Sequence, residues 1–163
     1  MAGDESKERR FQEMVAENQR RILAIARAYA PAGERQDLCQ EVLLQMWKGL
    51  NGFQGRSLTS TWVYRVALNT ALTFRRKIGR RPPGGSLTDS TLEAVAPADP
   101  GNGILVLEEF MASLGKVDRA VFLLYLEDLS YREISEVTGL TENHVGVRIN
   151  RLKKAFGQQY CGG

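Results

Sequence analysis

The sequence has few of the residues on which metal sites, disulfide frameworks and membrane spans depend. Of its 163 residues only two are cysteines, Cys39 and Cys161, and only one is a histidine, His144. This composition argues against a disulfide framework and a histidine-based metal site, and no metal or other cofactor is expected. No apolar run reaches the roughly 18–20 residues that a membrane-spanning helix needs. The N-terminal stretch MAGDESKERRF is charged and has no apolar signal-peptide segment, so we expect a cytoplasmic protein.

Charge is unevenly distributed, although the net charge is only +3. Residues 1–77 contain 13 lysines and arginines against 8 acidic residues, whereas residues 104–163 contain 7 against 8. Four of those seven bases lie between positions 148 and 154. A local basic patch attracts a polyanion such as DNA even on a nearly neutral domain. A solvated helix face without a partner is the alternative interpretation of the same run.

Helical periodicity dominates residues 1–77. Apolar residues recur at helical spacing from Glu8 to Tyr29, then after an interruption that contains proline and glycine, and again in TWVYRVALNTALTFRRK, residues 61–77. Asp37 is placed to cap the second of these helices. We therefore expect three helices packed as one all-α module.

Residues 78–103 break this pattern. They contain four of the five prolines and five glycines, and they have no apolar period. That composition is typical of a linker between two folded modules. From composition alone, residues 78–103 are equally consistent with a simple tether and with a segment that has a function of its own.

The helical pattern returns after residue 103. The stretch RAVFLLYLED, residues 119–128, is apolar nearly all round, which predicts the central buried helix of a second module. Ser130 and Glu133 fit an S-x-x-E capping box. A glycine-containing turn then leads to a basic helix in LTENHVGVRINRLKK, residues 140–154, with Thr141 as its N-cap. Two short helices in this arrangement predict a helix-turn-helix; a helical hairpin without DNA contacts is the alternative.

Together these segments resemble a known family. DLCQEVLLQMWKGLNGF followed by STWVYRVALNTALTFRRK resembles region two of bacterial sigma factors, and LYLEDLSYREISEVTGLTENHVGVRINRLKKAF resembles region four. The two-module layout is similar to the extracytoplasmic-function (ECF) group of the sigma-70 family. The resemblance implies an all-α fold, with region two in 1–77, a flexible linker in 78–103 and region four in 104–163. It also implies a transcription initiation subunit that binds core RNA polymerase and promoter DNA.

The resemblance further implies where the polymerase binds. In this family the region-two helix that begins at Asp37 docks on the clamp of the largest polymerase subunit. The polymerase flap is a further contact that the resemblance implies. The residues assigned to the clamp are Asp37, Gln40, Glu41 and Trp47. Two alternatives remain: Asp37 only caps the helix, and Trp47 only fills the core, which is the interpretation we favour for the tryptophan. An anti-sigma factor is a further partner that the resemblance implies.

Recognition and melting of the −10 element are assigned to the loop 53–60 and the helix after it. Single-strand capture requires aromatic platforms, hydrogen-bonding groups and bases, and flipped bases need a protein pocket. The residues that provide these groups are Phe53, Gln54, Arg56, Ser57, Thr59, Asn69, Arg75, Arg76 and Lys77. Trp62 and Tyr64 have apolar neighbours, so core packing is favoured over base stacking for both.

Recognition of the −35 element is assigned to the second helix of the helix-turn-helix. Its candidate DNA contacts are Thr141, Asn143, His144, Arg148, Arg151, Lys153 and Lys154. Gly146 and Val147 depart from the family, which commonly has Lys or Arg and then a small hydroxyl residue. The hypothesis we favour is that Gly146 lets the helix backbone approach the groove closely. The alternatives are that nothing there touches DNA, or that Val147 faces an inhibitory partner.

Two other functional classes are less consistent with the sequence. An ordinary helix-turn-helix regulator would need a ligand pocket or an alternating β/α pattern in 1–77, and the helical, basic segment there argues against it. An enzyme would need a nucleophile–base pair, metal-ligand spacing or a phosphate loop. The pairs Glu108–Glu109 and Glu127–Asp128 are instead typical of helix-surface charge. The sequence therefore favours a protein that is not an enzyme.

Overall fold

The computed structural model describes residues 2–53, 55, 58–79 and 103–161, the side chains of residues 2, 75–79 and 104 excepted. Within these ranges the chain forms α-helices and two short 3-10 turns, and no strand is present. The predicted all-α class is thus confirmed. The helices are α1 Ala2–Tyr29, α2 Arg35–Gly49, α3 Thr59–Gly79, α4 Gly103–Ser113, α5 Lys116–Leu126, α6 Tyr131–Thr138 and α7 Glu142–Tyr160. Among the described helices, none has the length and apolarity needed to cross a membrane.

Helices α1, α2 and α3 pack against one another as a three-helix bundle, the N-terminal bundle. Each contributes one apolar stripe at helical spacing, and burial of each large aliphatic side chain stabilises the fold by about 1.5–3 kcal/mol. The buried stripes consist of Ile22, Ile25, Ala26 and Tyr29 in α1, Leu38, Val42 and Met46 in α2, and Val63, Tyr64, Ala67, Leu68 and Ala71 in α3. The apolar stripes predicted for the first two helices form most of this core, but four of their members are only partly buried: Phe11, Val15, Leu43 and Trp47.

The second group, the C-terminal bundle, is organised around α5. Residues Ala120 to Leu124 of this helix are all buried, as its continuous apolar sequence predicts. Phe110 of α4 packs edge-on against Phe122, with ring centroids 5.2 Å apart, and against Phe156 of α7 at the same separation. Edge-to-face pairs of this kind add to the free energy gained from burial. Helix α5 is therefore the central element on which α4, α6 and α7 are positioned.

The two bundles contact each other. The Tyr29 hydroxyl donates a hydrogen bond to the backbone carbonyl of Lys116 at 3.0 Å. The buried Arg119 donates to the carbonyl of Ala28 at 3.1 Å. The Tyr64 hydroxyl donates to the carboxylate of Glu127 at 3.0 Å. Two modules joined by a linker were predicted, but these polar contacts, called the inter-bundle contacts below, were not.

Several predicted boundaries differ from the structure. Helix α1 begins at Ala2 rather than at Glu8, because the charged N-terminal segment lacks an apolar period yet has acidic residues in its first turn. The prediction that Asp37 caps α2 is wrong. A 3-10 turn, Ala32–Glu34, leads directly into α2 at Arg35, so Asp37 lies inside the first turn. Helix α3 continues to Gly79, two residues beyond the predicted helix end at Lys77 and into the predicted linker.

Candidate DNA and polymerase interfaces

Helices α6 and α7 form the predicted helix-turn-helix. The capping box is present: the backbone N–H of Ser130 donates to Glu133 at 2.7 Å, and the N–H of Glu133 donates to the Ser130 hydroxyl at 3.1 Å. Gly139 ends α6 with a φ of 81°, a left-handed conformation that favours glycine. Thr141 begins α7 and accepts a hydrogen bond from the N–H of His144 at 3.2 Å. Local sequence signals thus define both ends of the turn, and these predictions are confirmed.

Helix α7 presents one face to the core and the opposite face to solvent. Val145, Ile149 and Leu152 are buried and anchor the helix. At 3.6 residues per turn, the face opposite these anchors, called the outer face of α7 below, consists of Asn143, Val147, Asn150, Arg151 and Lys154, all exposed. Asn150 was not predicted, although its seven-residue spacing from Asn143 is a signal that points to it.

Val147 is 57% exposed at the centre of the outer face. Polar or charged side chains surround it, and a valine methyl group is able to contact the methyl group of thymine in a major groove. Of the other predicted residues, His144 is exposed near the start of the helix. Lys153 lies with its ammonium group 5.7 Å from the ring centroid of Tyr125, a cation–π contact. The outer face therefore combines bases, amides and one apolar side chain.

Arg148 and Arg151 share a carboxylate that the sequence analysis missed. Asp118 lies in the first turn of α5. Its Oδ1 atom accepts a hydrogen bond from Arg148 at 2.6 Å and another from Arg151 at 2.9 Å. The same Arg151 nitrogen also lies 3.0 Å from Oδ2. The paired residues are separated by 30 and 33 positions in sequence, so no local sequence pattern predicts the pairing.

Gly146 has a neighbour within the helix-turn-helix itself. A Cβ atom added to Gly146 would lie 3.3 Å from Cε2 and 3.6 Å from Cδ2 of Tyr131, the first residue of α6. Ordinary carbon–carbon contacts are about 3.5–4.0 Å, so a side chain at 146 presses on the tyrosine ring. The glycine thus allows close contact between the two helices, an explanation that the sequence analysis had not considered.

The residues assigned to the polymerase lie on the solvent face of α2. Asp37 and Gln40 are exposed, and Glu41 is half-buried and accepts a hydrogen bond from Gln45 at 3.1 Å. Leu44 lies four residues beyond Gln40 on the same face and is 45% exposed. An exposed leucine among polar residues is typical of the apolar anchor of an interface. Helical spacing from Gln40 is the signal that would have identified it.

Trp47 packs within the bundle. Its ring meets Phe11 edge-on with centroids 5.3 Å apart, and the Lys7 ammonium group lies 4.1 Å from the ring centroid. These contacts agree with the packing role that we favoured for this tryptophan. Only the exposed part of the Trp47 ring is accessible for contact with the polymerase.

A groove runs between α2 and α3. It has a volume of about 310 Å³ and is lined by Glu41, Gln45, Asn69, Thr70, Thr73 and Phe74. Asn69 is exposed, and Thr70 uses its hydroxyl to donate to the carbonyl of Val66 at 2.7 Å. The groove places the predicted −10 residue Asn69 beside Glu41 of the predicted polymerase face. The two interfaces are therefore adjacent.

The aromatic residues near the predicted −10 loop pack on one another. The rings of Phe53 and Trp62 lie with centroids 5.1 Å apart. The Arg10 guanidinium lies 5.7 Å from the centroid of the Phe53 ring and donates to the Phe53 carbonyl at 3.3 Å. Tyr64 is buried; burial raises its pKa well above the ordinary value, and the adjacent Glu127 carboxylate raises it further. Packing, rather than base stacking, is thus the role that the structure supports for Tyr64.

The remaining −10 candidates are distributed as follows. Thr59 is the first residue of α3 and is half-buried, so it belongs to the helix rather than to the loop. The backbone at Arg75, Arg76 and Lys77 lies in the last part of α3, while their side chains are outside the described residues. Gln54, Arg56 and Ser57 also lie outside the described residues.

An all-α fold with a basic helix-turn-helix and a second bundle that has its own polar face defines a DNA-binding protein of transcription. Sequence comparison makes the class specific. The family description Sigma-70 region 2 matches residues 14–81, and Sigma-70, region 4 matches residues 104–156. The RNA polymerase sigma-H factor of Pseudomonas aeruginosa is 30% identical over 163 residues, covering 91% of this chain and 84% of that protein. The ECF RNA polymerase sigma-E factor of Escherichia coli K12 is 29% identical over 160 residues, covering 90% and 84%.

Two solved structures have the same fold. CnrH in complex with the cytosolic domain of CnrY matches with a TM-score of 0.71 and 21% identity, covering 95% of this chain and 90% of that chain. The sigma factor RpoE in complex with the anti-sigma factor NepR from Bartonella quintana also gives 0.71, at 20% identity and with 91% and 94% covered. The chain belongs to the ECF group of the sigma-70 family, and it is a factor for promoter-specific transcription initiation.

Proposed function

We propose that the chain directs RNA polymerase to its promoters through three surfaces: the solvent face of α2, the α2–α3 groove with the loop before α3, and the outer face of α7. The observation on which this division rests is that charged and amide side chains collect on these surfaces while the opposite faces are buried. The corresponding division of the chain is 1–77 for the polymerase and the −10 element, 78–103 as linker, and 104–163 for the −35 element.

The polymerase clamp is assigned to the face of α2. Asp37, Gln40 and Glu41 provide polar contacts, and Leu44 provides an apolar anchor one turn beyond Gln40. Polar residues around an exposed apolar residue match the usual anatomy of a protein interface, in which the centre supplies most of the binding free energy. Trp47 contributes mainly by packing α1 against α2. The polymerase flap is assigned to the C-terminal bundle.

The −10 element is assigned to the groove that contains Asn69. The exposed amide of Asn69 is suited to hydrogen bonds with the edge of an unstacked base, while Phe53, held by Trp62 and Arg10, forms an aromatic surface beside the loop. Gln54, Arg56, Ser57 and Thr59 are proposed to take part from the loop. Arg75, Arg76 and Lys77 are proposed to bind phosphates, so their neutralisation should make the salt dependence of promoter binding shallower.

The −35 element is assigned to the outer face of α7. Asn143 and Asn150 are suited to adenine, an arginine to guanine and Val147 to the thymine methyl group. Thr141 contributes by capping the helix that presents these groups. The remaining predicted contacts are His144, Arg148, Lys153 and Lys154, which are proposed to bind phosphates or base edges.

An anti-sigma factor is a further proposed partner. The two solved structures of the same fold are described as complexes of CnrH with CnrY and of RpoE with the anti-sigma factor NepR. We propose that an anti-sigma factor also binds this chain. The chain itself is proposed to act in the cytoplasm, where polymerase and DNA are found, and to have no catalytic activity of its own.

Run-off transcription with purified core polymerase on a promoter library tests the proposal. The chain is expected to produce transcripts with a defined start site, whereas core polymerase alone, as the control, is expected to produce none. Sequencing of the productive templates then defines the two promoter elements. An ordinary helix-turn-helix regulator would bind duplex DNA without polymerase and would not produce start-site-specific transcripts. That outcome would exclude the sigma-factor function.

A further inference from the structure

Asp118 is the acceptor for two arginines of α7, Arg148 and Arg151. Its side chain is 24% exposed, and the side chains that bind it are 33% exposed in Arg148 and 59% exposed in Arg151. Arg151 therefore keeps most of its surface in solvent while it is paired. Only one of its terminal nitrogens is used by Asp118. That nitrogen, Nη2, carries two N–H groups, and the one not directed at Asp118 is parallel to an N–H of Nη1 or Nε, so a pair of parallel donors stays available.

A guanidinium that is hydrogen-bonded to a carboxylate of the same protein recognises DNA differently from a free guanidinium. A free arginine side chain loses considerable rotamer freedom when it binds, and it contacts a phosphate in many orientations. A guanidinium that is already held by a carboxylate loses less freedom and presents its remaining donors in one direction. Guanine offers two acceptors, O6 and N7, to a pair of parallel N–H donors. The hydrogen bond to Asp118 thus favours binding of the Arg151 guanidinium to a base edge over binding to the phosphate backbone.

The partner carboxylate also lowers the local positive charge. Asp118 with its two arginines sums to a single positive charge, so the electrostatic attraction to phosphates is weaker than that of two free arginines. Electrostatic attraction to phosphates is independent of sequence, whereas base contacts determine specificity. The pairing with Asp118 consequently lowers the sequence-independent affinity for DNA and raises the discrimination between DNA sequences.

We propose that Asp118 is a positioning residue for −35 recognition: it holds Arg151 so that the guanidinium binds a guanine in the major groove. This proposal rests on the assignment of the −35 element to α7. Arg148, the less exposed of the two arginines, binds the same Oδ1 atom at 2.6 Å and so helps to keep the carboxylate in place. Asp118 itself does not contact DNA.

The test uses Asp118→Asn in the complete chain with core polymerase. Asparagine has nearly the same shape but lacks the negative charge. Asp128→Asn is the matched control, because Asp128 is an exposed acid of the same bundle, and its φ of 64° is well tolerated by asparagine. Holoenzymes formed with each protein are offered promoters in which the −35 element is randomised, and the bound templates are sequenced at several salt concentrations.

The unmodified and Asp128→Asn proteins are expected to select guanine at one position or more of the −35 element. Asp118→Asn is expected to lower the preference for guanine by about tenfold, which is the order of discrimination that a bidentate arginine–guanine pair provides. Its affinity for a scrambled −35 element should be unchanged or higher, and its salt dependence steeper by up to one phosphate contact. A purely structural role would instead lower the affinity for all sequences equally.

Two results overturn the proposal. One is an unchanged preference for guanine in Asp118→Asn. The other is an equal rise in affinity for every sequence, which would make Asp118 only a neutralising charge. If Asp118→Asn does not fold, Arg151→Lys replaces it: it keeps the charge but loses the paired donors, so retention of the guanine preference would also overturn the proposal. Absence of any −35 preference in the unmodified holoenzyme would instead count against the assignment of α7 to the −35 element.

Discussion

Replacement of Gly146 by alanine measures how tightly the two helices of the helix-turn-helix pack. In an ordinary helix interior, Gly→Ala stabilises a protein by about 1 kcal/mol. Here the added methyl group would lie 3.3 Å from the Tyr131 ring, which must move by a few tenths of an ångström. Overpacking costs typically about 1–3 kcal/mol, and the lower end applies because Tyr131 is 40% exposed. The two effects nearly cancel, so Gly146→Ala should change the free energy of unfolding by less than about 0.5 kcal/mol.

A double-mutant cycle separates the two effects. In a Tyr131→Ala background the ring is absent, and Gly146→Ala should then stabilise the chain by the full propensity gain of about 1 kcal/mol. The coupling between the two positions is therefore about 1 kcal/mol. The assay is urea or thermal unfolding of the four complete chains, where 1 kcal/mol corresponds to about 2–4 °C in Tm for a protein of this size.

The same proteins decide between the explanations for Gly146. If the glycine serves helix packing, affinity for −35 DNA should be nearly the same with glycine and alanine, because the methyl group points towards Tyr131 and not towards the outer face of α7. The hypothesis of close approach to the groove predicts a lower affinity for the alanine variant. Equal stabilisation by Gly146→Ala with and without Tyr131 would refute the packing explanation.

Three other predictions follow from the proposed interfaces. Joint replacement of Gln40 and Glu41 by alanine should weaken competition for core polymerase at least several-fold without loss of helicity by circular dichroism; unchanged competition would locate the clamp elsewhere. Asn69→Ala should impair open-complex formation on duplex promoters, probed by permanganate, while core binding and melting temperature stay the same, and normal opening would exclude its role at the −10 element. Ile149→Ala, at a fully buried anchor of α7, should destabilise the chain by about 2–5 kcal/mol; a loss below 1 kcal/mol in urea unfolding would mean that α7 is held by other contacts.

Features set by neighbouring residues could be predicted from the sequence, and features set by distant ones could not. The capping box of Ser130 and Glu133 depends on side chains three residues apart, so its pattern is visible in the sequence. The buried face of α7 follows likewise from helical spacing. The pairing of Asp118 with Arg151 joins residues 33 positions apart. It depends on how α5 and α7 cross, which no local pattern encodes.

The candidate interfaces likewise could be predicted only where their residues lie on one helix. The candidates taken from the sequence include three of the five residues on the outer face of α7, Asn143, Arg151 and Lys154, because that face lies on a single helix. The contact of Tyr131 with Gly146 joins two helices across a turn, and its effect is apparent only from the distance between them. Asp37 was misassigned for a related reason. The 3-10 turn before α2 moves the helix start by two residues, and a stretch with proline and glycine does not reveal such a turn.

The inter-bundle contacts have a consequence for the geometry of promoter binding. A compact chain of 163 residues has a radius of gyration of about 15 Å, or a diameter of about 40 Å. Promoter elements centred near −10 and −35 are about 85 Å apart along the duplex, at 3.4 Å per base pair. Residues 80–102, if fully extended, reach about 80 Å. Under the proposed assignment of one bundle to each element, the chain would span both elements only after the hydrogen bonds of Tyr29, Tyr64 and Arg119 to the opposite bundle are broken. The free energy of those bonds would then oppose promoter binding.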